Sequence, residues 1–250
     1  MIELNHFSPR AVDDSFSAGM FRSILKTADR RKLLFTEAEY KALLMYSTGL
    51  DDELNGKSWK FMEIFEMLYK RSLTRADSIV NKLLQKPFDF LINESITTSK
   101  EETFNFATDI TALSARWSRY LKYRALDQLY DMAAADSSGK TTFKTVISQS
   151  ETKVRDHIRT SESKSLKRIL GMHAGFTDHV FQIYLDAIAT GFDPHTNYFS
   201  KEGKEEFKEP LLYLPLQAQQ FIAFIEVARF PRRAAGYQLI NNYLSHFIFI

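Results

Sequence analysis

The chain has 250 residues, 44% of them hydrophobic and 26% charged, and a formal net charge of +2. That is enough for one good-sized domain, or one domain and part of another, and the charge is too small to point to nucleic acid. The absence of cysteine excludes disulfides, thiolate metal sites and a cysteine nucleophile, while nine glycines and six prolines favour long helices over a turn-rich β fold.

The opening residues, MIELNHFSPRAVDD, show neither a basic n-region nor an apolar h-region, so no signal peptide is expected there. Asp13, Asp14 and Ser15 form a capping cluster, after which Phe16, Met20, Phe21, Ile24, Leu25 and Ala28 follow at helical spacing. Residues 32–35 make a short apolar connector. Thr36 and Glu39 read as a capping box, the hydroxyl accepting from the Glu39 amide and the carboxylate from the Thr36 amide. The helix behind it presents Tyr40, Leu43, Leu44 and Ser47, with Gly49 as its stop.

Residues 59–85 are the longest helical pattern of the first half. Phe61, Ile64, Phe65, Leu68, Ser72, Ala76, Ile79, Val80 and Leu83 form its apolar stripe, and Pro87 closes it. Residues 88–92 (FDFLI) are a short candidate strand. Ser99 with Glu102 offers a second capping box, opening a helix from about Glu101 to Ala134 whose inner face carries Phe106, Ile110, Leu113, Trp117, Tyr120, Leu121 and Leu129. Arg116, Arg119, Lys122 and Arg124 crowd this helix, but Asp109 and Asp127 interrupt them. We read them as a solvated or salt-bridged face rather than an anion site.

Residues 136–142 (DSSGKTT) are the clearest loop. Their Gly139-Lys140-Thr141 triplet is no P-loop, because the glycine four residues upstream and the preceding buried strand are both missing. Residues 146–170 read as a charged helix anchored by Val154, Ile158, Leu166, Ile169 and Leu170, broken by residues 171–175. A last helix follows, with Thr177 as N-cap and Val180, Phe181, Tyr184, Leu185 and Ile188 on one face. Gly191 stands where a helix often ends in a left-handed residue, and Asp193-Pro194 turns the chain away. The whole reads as all-α: an irregular, mainly helical domain with at most a minor two-stranded element.

The string Asp193-Pro194-His195-Thr196-Asn197-Tyr198 after this helix resembles the segment that joins the N-terminal helical region to the PDZ-containing core in tail-specific (carboxy-terminal processing) proteases. Upstream, Asp13-Asp14-Ser15 through Phe21, residues 27–35 and Leu50-Asp51-Asp52-Glu53-Leu54 are similar to further segments of that family. Arg30 and Leu34 depart from it, standing where the family usually has proline and tyrosine. The resemblance covers roughly residues 5–209. It implies a helical domain that packs around a protease core, and makes Asp193, Pro194, His195, Thr196 and Tyr198 a structural junction motif.

Family members cleave peptides with a serine activated by a lysine, held beside an oxyanion hole in a small-residue motif. No such motif is found in this sequence, nor the PDZ carboxylate-binding loop. Ser148 and Ser150, and Ser161, Ser163 and Ser165, read as exposed polar runs. No histidine pair has metal-ligand spacing, and His195 reads as a turn residue. We therefore expect no catalytic residue, no cofactor and no metal.

Residues 210–250 contain no Lys, Asp or Thr and a single Glu, and they end on Phe247-Ile248-Phe249-Ile250. They are expected to be a divergent apolar tail, out of frame or left by truncation, beside a helical domain at residues 1–209. A C-terminal helix packed on the bundle is the alternative. By resemblance, the chain is an accessory domain of a periplasmic tail-specific serine protease, and would be cytoplasmic if expressed as written. Its partners would be the protease core and PDZ domain or an adaptor protein, and polypeptide substrates, without nucleic acid or a membrane span. The rival reading is a free-standing helical interaction module.

Overall fold

The computed structural model describes residues 11–56, 58–96, 105–135, 142–172, 175–192, 196–199, 223–227 and 245–249. The helices among them are α1 (Asp14–Asp29), α2 (Glu37–Leu44), α3 (Leu50–Leu54), α4 (Lys60–Leu83), α5 (Ile110–Ala134), α6 (Phe143–Leu170) and α7 (Phe176–Phe192). The mainly helical class expected from the sequence is what is found. The chain divides into two compact units: residues 1–28, 43–64 and 177–250 form the first, residues 29–42 and 65–176 the second.

In the first unit, α1 starts where the Asp13 carboxylate accepts the Phe16 amide at 2.9 Å, which satisfies one of the donors a helix start leaves open. Its inner face is the expected one, with Phe16, Met20, Phe21 and Ile24 all buried. Ser17 and Asp51 exchange two bonds, hydroxyl to carboxylate and Asp51 amide to hydroxyl, each 2.8 Å long, and so tie α3 to α1. Rings fill the remaining space: Phe21 meets Phe61 edge-on at 5.9 Å, and Tyr184 lies 6.4 Å from Phe61 and 6.0 Å from Trp59. Each such side chain contributes about 1.5–3 kcal/mol by leaving water.

In the second unit, the connector after α1 is held by side chains, because it lies in the core and its backbone groups have no ladder to join. The Asp29 carboxylate accepts the amides of Leu33, Leu34 and Phe35 at 2.7–3.0 Å. Trp117 donates its indole N–H to the Leu33 carbonyl at 2.7 Å, and Arg116 donates to the Lys32 carbonyl at 3.0 Å. The capping box forms as expected: Glu39 accepts the Thr36 amide at 2.8 Å, and Thr36 Oγ1 accepts the Glu39 amide at 3.4 Å. Helices α5 and α6 run antiparallel, linked by the Arg124–Glu162 ion pair and by His157 against Gln128.

Several local expectations are corrected. Residues 88–92 form no strand; they are irregular chain passing into a turn and a bend, anchored where the Phe88 amide donates to Glu151. Helix α5 starts at Ile110, not Glu101. Ala107 is engaged in a parallel bridge with Thr36, and Asp109 caps the helix through the Ala112 amide. Ser99 and Glu102 lie outside the described residues. Helix α2 ends at Leu44, and Gly49 precedes α3 instead of closing α2. Thr177 lies inside the first turn of α7, while Gly175, at φ 102°, is the left-handed residue before it.

The β structure is small. Strand β1 (Thr196–Phe199) pairs antiparallel with β3 (Ser245–Phe249), Thr196 opposite Phe249 and Phe199 opposite His246. Strand β2 (Ala223–Val227) flanks the other edge of β3, giving the order β1-β3-β2. That is one strand more than expected. Phe247, Ile248 and Phe249, expected in a closing apolar string (residues 247–250) or in a packed C-terminal helix, fall in strand β3.

Candidate functional site

The junction motif follows α7. Within α7, Val180, Ile183, Tyr184, Leu185, Ala187, Ile188 and Ala189 are buried, so most of the helix circumference faces the core. At its end, Gly191 does not adopt the left-handed conformation expected of it. Its role is space. A Cβ built on Gly191 would lie 2.9 Å from two carbons of the Phe16 ring, closer than such atoms approach. Phe16 also packs against Phe192, ring centroids 4.9 Å apart.

Beyond α7, Asp193, Pro194 and His195 lie outside the described residues. Thr196 and Tyr198 fall in β1. The Tyr198 backbone N–H donates to the half-buried Asp186 carboxylate on α7; burial pushes that carboxyl above its ordinary range, and the hydrogen bond partly opposes this. Gly191 against Phe16 thus seats the end of α7 on α1, and Asp186 with Tyr198 holds the junction strand onto α7.

Three carboxylates are buried deeper. Glu39 is held down to about 2: burial opposes its charge, but hydrogen bonds from Arg75, the Thr36 amide and Arg71 outweigh it. Both arginines reach it at 2.8 Å. Burial pushes Asp29 up to about 7 against its three amide donors and the charge of Arg116. Glu53 is also pushed up to about 7 by burial; it accepts the Phe61 amide at 2.6 Å and the Tyr184 hydroxyl at 3.4 Å.

Of the serines considered as nucleophiles, Ser148 is exposed and donates to the Thr145 carbonyl at 2.9 Å. Ser163 is not exposed as expected: it is buried and donates to Asp77, because α6 turns that face onto α4. Lys167, one turn on, lies 3.7 Å from the same Asp77, but its side chain is 65% exposed. Ser163 and Lys167 thus both face Asp77 and not each other, with the lysine open to solvent. Lys122 takes the salt-bridged form of the expected basic face: it is buried, its ammonium 2.7 Å from Glu94 and 2.8 Å from the Ile92 carbonyl. Among the described residues, no cluster of three or more His, Asp or Glu could hold a metal ion, and no helix is long and apolar enough to cross a membrane.

The sequence reading passed over Asp29, Glu53 and Asp186 as functional groups. A signal existed for two of them: Asp29 and Glu53 lie within strings that carry the family resemblance. Asp13, Asp29, Asp51 and Glu53 each hold a helix end or a connector, so the resemblance follows the polar joints of the fold.

Comparison with known proteins agrees with this. The curated Tail-specific protease of Haemophilus influenzae is 25% identical over 210 residues, covering 83% of this chain and 27% of that protein. The chain thus spans about a quarter of that relative's length. The family model described as Tail specific protease N-terminal domain matches residues 1–202, and the chain belongs to that family.

Proposed function

We infer that this chain is the non-catalytic N-terminal accessory domain of a periplasmic tail-specific serine protease, helping to shape the path of polypeptide substrates and to dock partner proteins. The observation that carries the reading is the family match over residues 1–202, set beside coverage of only 27% of the relative. The matched part is an N-terminal domain by description. In this reading the cleaving groups belong to a separate core, with its PDZ domain, that this chain would engage. An adaptor protein is the other partner of this kind.

The surroundings of Ser163 and Lys167 support a non-catalytic role. In a serine protease, removing the nucleophile or base costs on the order of 10⁶ in rate, so a chain without them is silent on its own. The test is to add the purified full chain to a tail-specific protease core lacking its own N-terminal domain. Cleavage of an unstructured peptide with an apolar C-terminus is then followed. The chain alone gives no turnover, and the mixture cleaves several-fold faster than the core. Turnover by the chain alone that is lost on replacing Ser148, Ser150 or His195 overturns the reading; turnover that survives all three points to a catalytic site elsewhere in the chain.

A further inference from the structure

Glu53 is 2% exposed, yet it carries a carboxyl group to the meeting point of three helices of the first unit. Its own helix, α3, supplies the carboxyl. One oxygen takes the Phe61 amide from the first turn of α4, and the other takes the Tyr184 hydroxyl from the middle of α7. The Phe61 amide is one of the donors that a helix start leaves unsatisfied, so Glu53 caps α4 from a distance.

The groups around it do not neutralise a charge. From α4 it meets Glu63, whose charge opposes its own, together with the amides of Phe61 and Met62; from α7 it meets Tyr184. On its own helix, Asp51 is taken up by Ser17 of α1. Trp59, Phe61 and Tyr184 form an aromatic cluster at this point. Its hydrogen-bond partners among the described residues are an amide and a hydroxyl, neither of them a cation. A buried carboxylate without a cation is costly, whereas the neutral acid keeps both contacts at little cost.

We propose that Glu53 is a proton-operated latch on α7: protonated, it ties α7 to α3 and to the start of α4, and on losing its proton it becomes a buried anion met only by the Phe61 amide and the Tyr184 hydroxyl, a costly state that loosens the packing of α7. Because α7 leads directly into the junction strand β1, the latch sets how firmly the junction is held. The switch falls near neutral pH, since burial holds the group at about 7. It goes beyond the accessory-domain reading and stands or falls independently of it.

The test follows the Phe61 amide resonance of the full chain by NMR from pH 5 to 9, with hydrogen exchange of residues 180–192 measured in parallel. The amide titrates once with a midpoint near pH 7, and protection of residues 180–192, corrected for intrinsic rates, falls at least threefold across that midpoint. Glu53→Gln removes both effects. Two milder variants guard against misfolding of that one. Tyr184→Phe, which removes a donor to the anion, moves the midpoint up; Glu63→Gln, which removes a repelling charge, moves it down. A midpoint below about 5.5, an amide indifferent to pH, protection constant across the midpoint, or a midpoint that neither mild variant moves would overturn the latch.

Discussion

Glu39 in the second unit and Glu53 in the first are both buried glutamates that hold the start of a helix, and their surroundings drive them in opposite directions. Glu39 has Arg75 and Arg71 at 2.8 Å and is held down to about 2. Glu53 has an amide, a hydroxyl and aromatic rings, and is pushed up to about 7. The same side chain is a permanent anion in one place and a near-neutral acid in the other. What decides is whether a guanidinium accompanies it out of water.

The largest expected effect comes from breaking the ion pair. Glu39→Ala leaves Arg75, whose side chain is only 15% exposed, as an uncompensated buried cation. Removing one partner of such a pair costs about 3–5 kcal/mol, and the exposure of Arg71 places this site at the lower end. Urea unfolding measures it. Glu53→Gln keeps the shape and the hydrogen-bonding capacity and costs less than about 1 kcal/mol at pH 5. Equal losses in the two variants would erase the contrast.

Next comes pH. Glu39 has a folded value of about 2 against an ordinary 4.5, so its stabilisation is complete above 4.5 and is lost as pH falls toward 2. Glu53 has a folded value of about 7, so its stabilisation is complete below 4.5 and is lost as pH rises through 7. Stability therefore peaks near pH 5. Between pH 5 and 8 the wild type loses on the order of 2–3 kcal/mol through Glu53, and Asp29 adds to the same limb because it too is pushed up to about 7. Glu53→Gln flattens the alkaline limb only in part and leaves the acid limb untouched. An acid limb altered by Glu53→Gln would break the assignment.

A smaller effect tests the packing that accompanies the polar joints. Gly191→Ala gains about 1 kcal/mol of helix propensity, but it drives a methyl into the Phe16 ring, which costs about 1–3 kcal/mol. A net loss of about 1 kcal/mol is expected, with Phe16→Leu in the same chain recovering part of it. Stabilisation by Gly191→Ala alone would show that the ring moves aside freely.

Most of the helical layout was legible because apolar periodicity is a local signal. Phe16 through Ile24, the stripe from Phe61 to Val80 and the face from Val180 to Ile188 were all readable as written. The capping box at Thr36 and Glu39 was legible for the same reason, its partners being three residues apart. What the sequence hid was long-range. Nothing near Glu39 announces Arg75, and nothing near Leu33 announces Trp117. Gly191 was misread because a glycine at a helix end has two uses, and only the position of Phe16 tells them apart. The start of α5 was misplaced because a capping signal at Ser99 is as plausible locally as the one at Asp109. Of the junction motif, the sequence gives the string, and the structure adds the strand pairing of Thr196 and Tyr198 and the hold of Asp186.

The smallest expected effect concerns residues 210–250, which we propose are a divergent segment on which the helical core does not depend. Their described parts are two strands, joined to the rest through main-chain pairing of β3 with the four residues of β1. Among the described residues, the buried apolar side chains lie between Phe16 and Ala189, and removing the tail takes away none of these. Lysine, aspartate and threonine vanish together at its start, whereas a selected surface element keeps charges toward water. Deleting residues 210–250 is therefore expected to shift the Tm by less than about 2 °C, the scale of well under 1 kcal/mol for a chain of this size, and to raise solubility. A loss of several degrees would mean that the sheet is part of the cooperative fold. Measured with Glu39→Ala under the same conditions, the deletion then ranks two kinds of joint: ion pairs buried within a unit, and strands added at its edge.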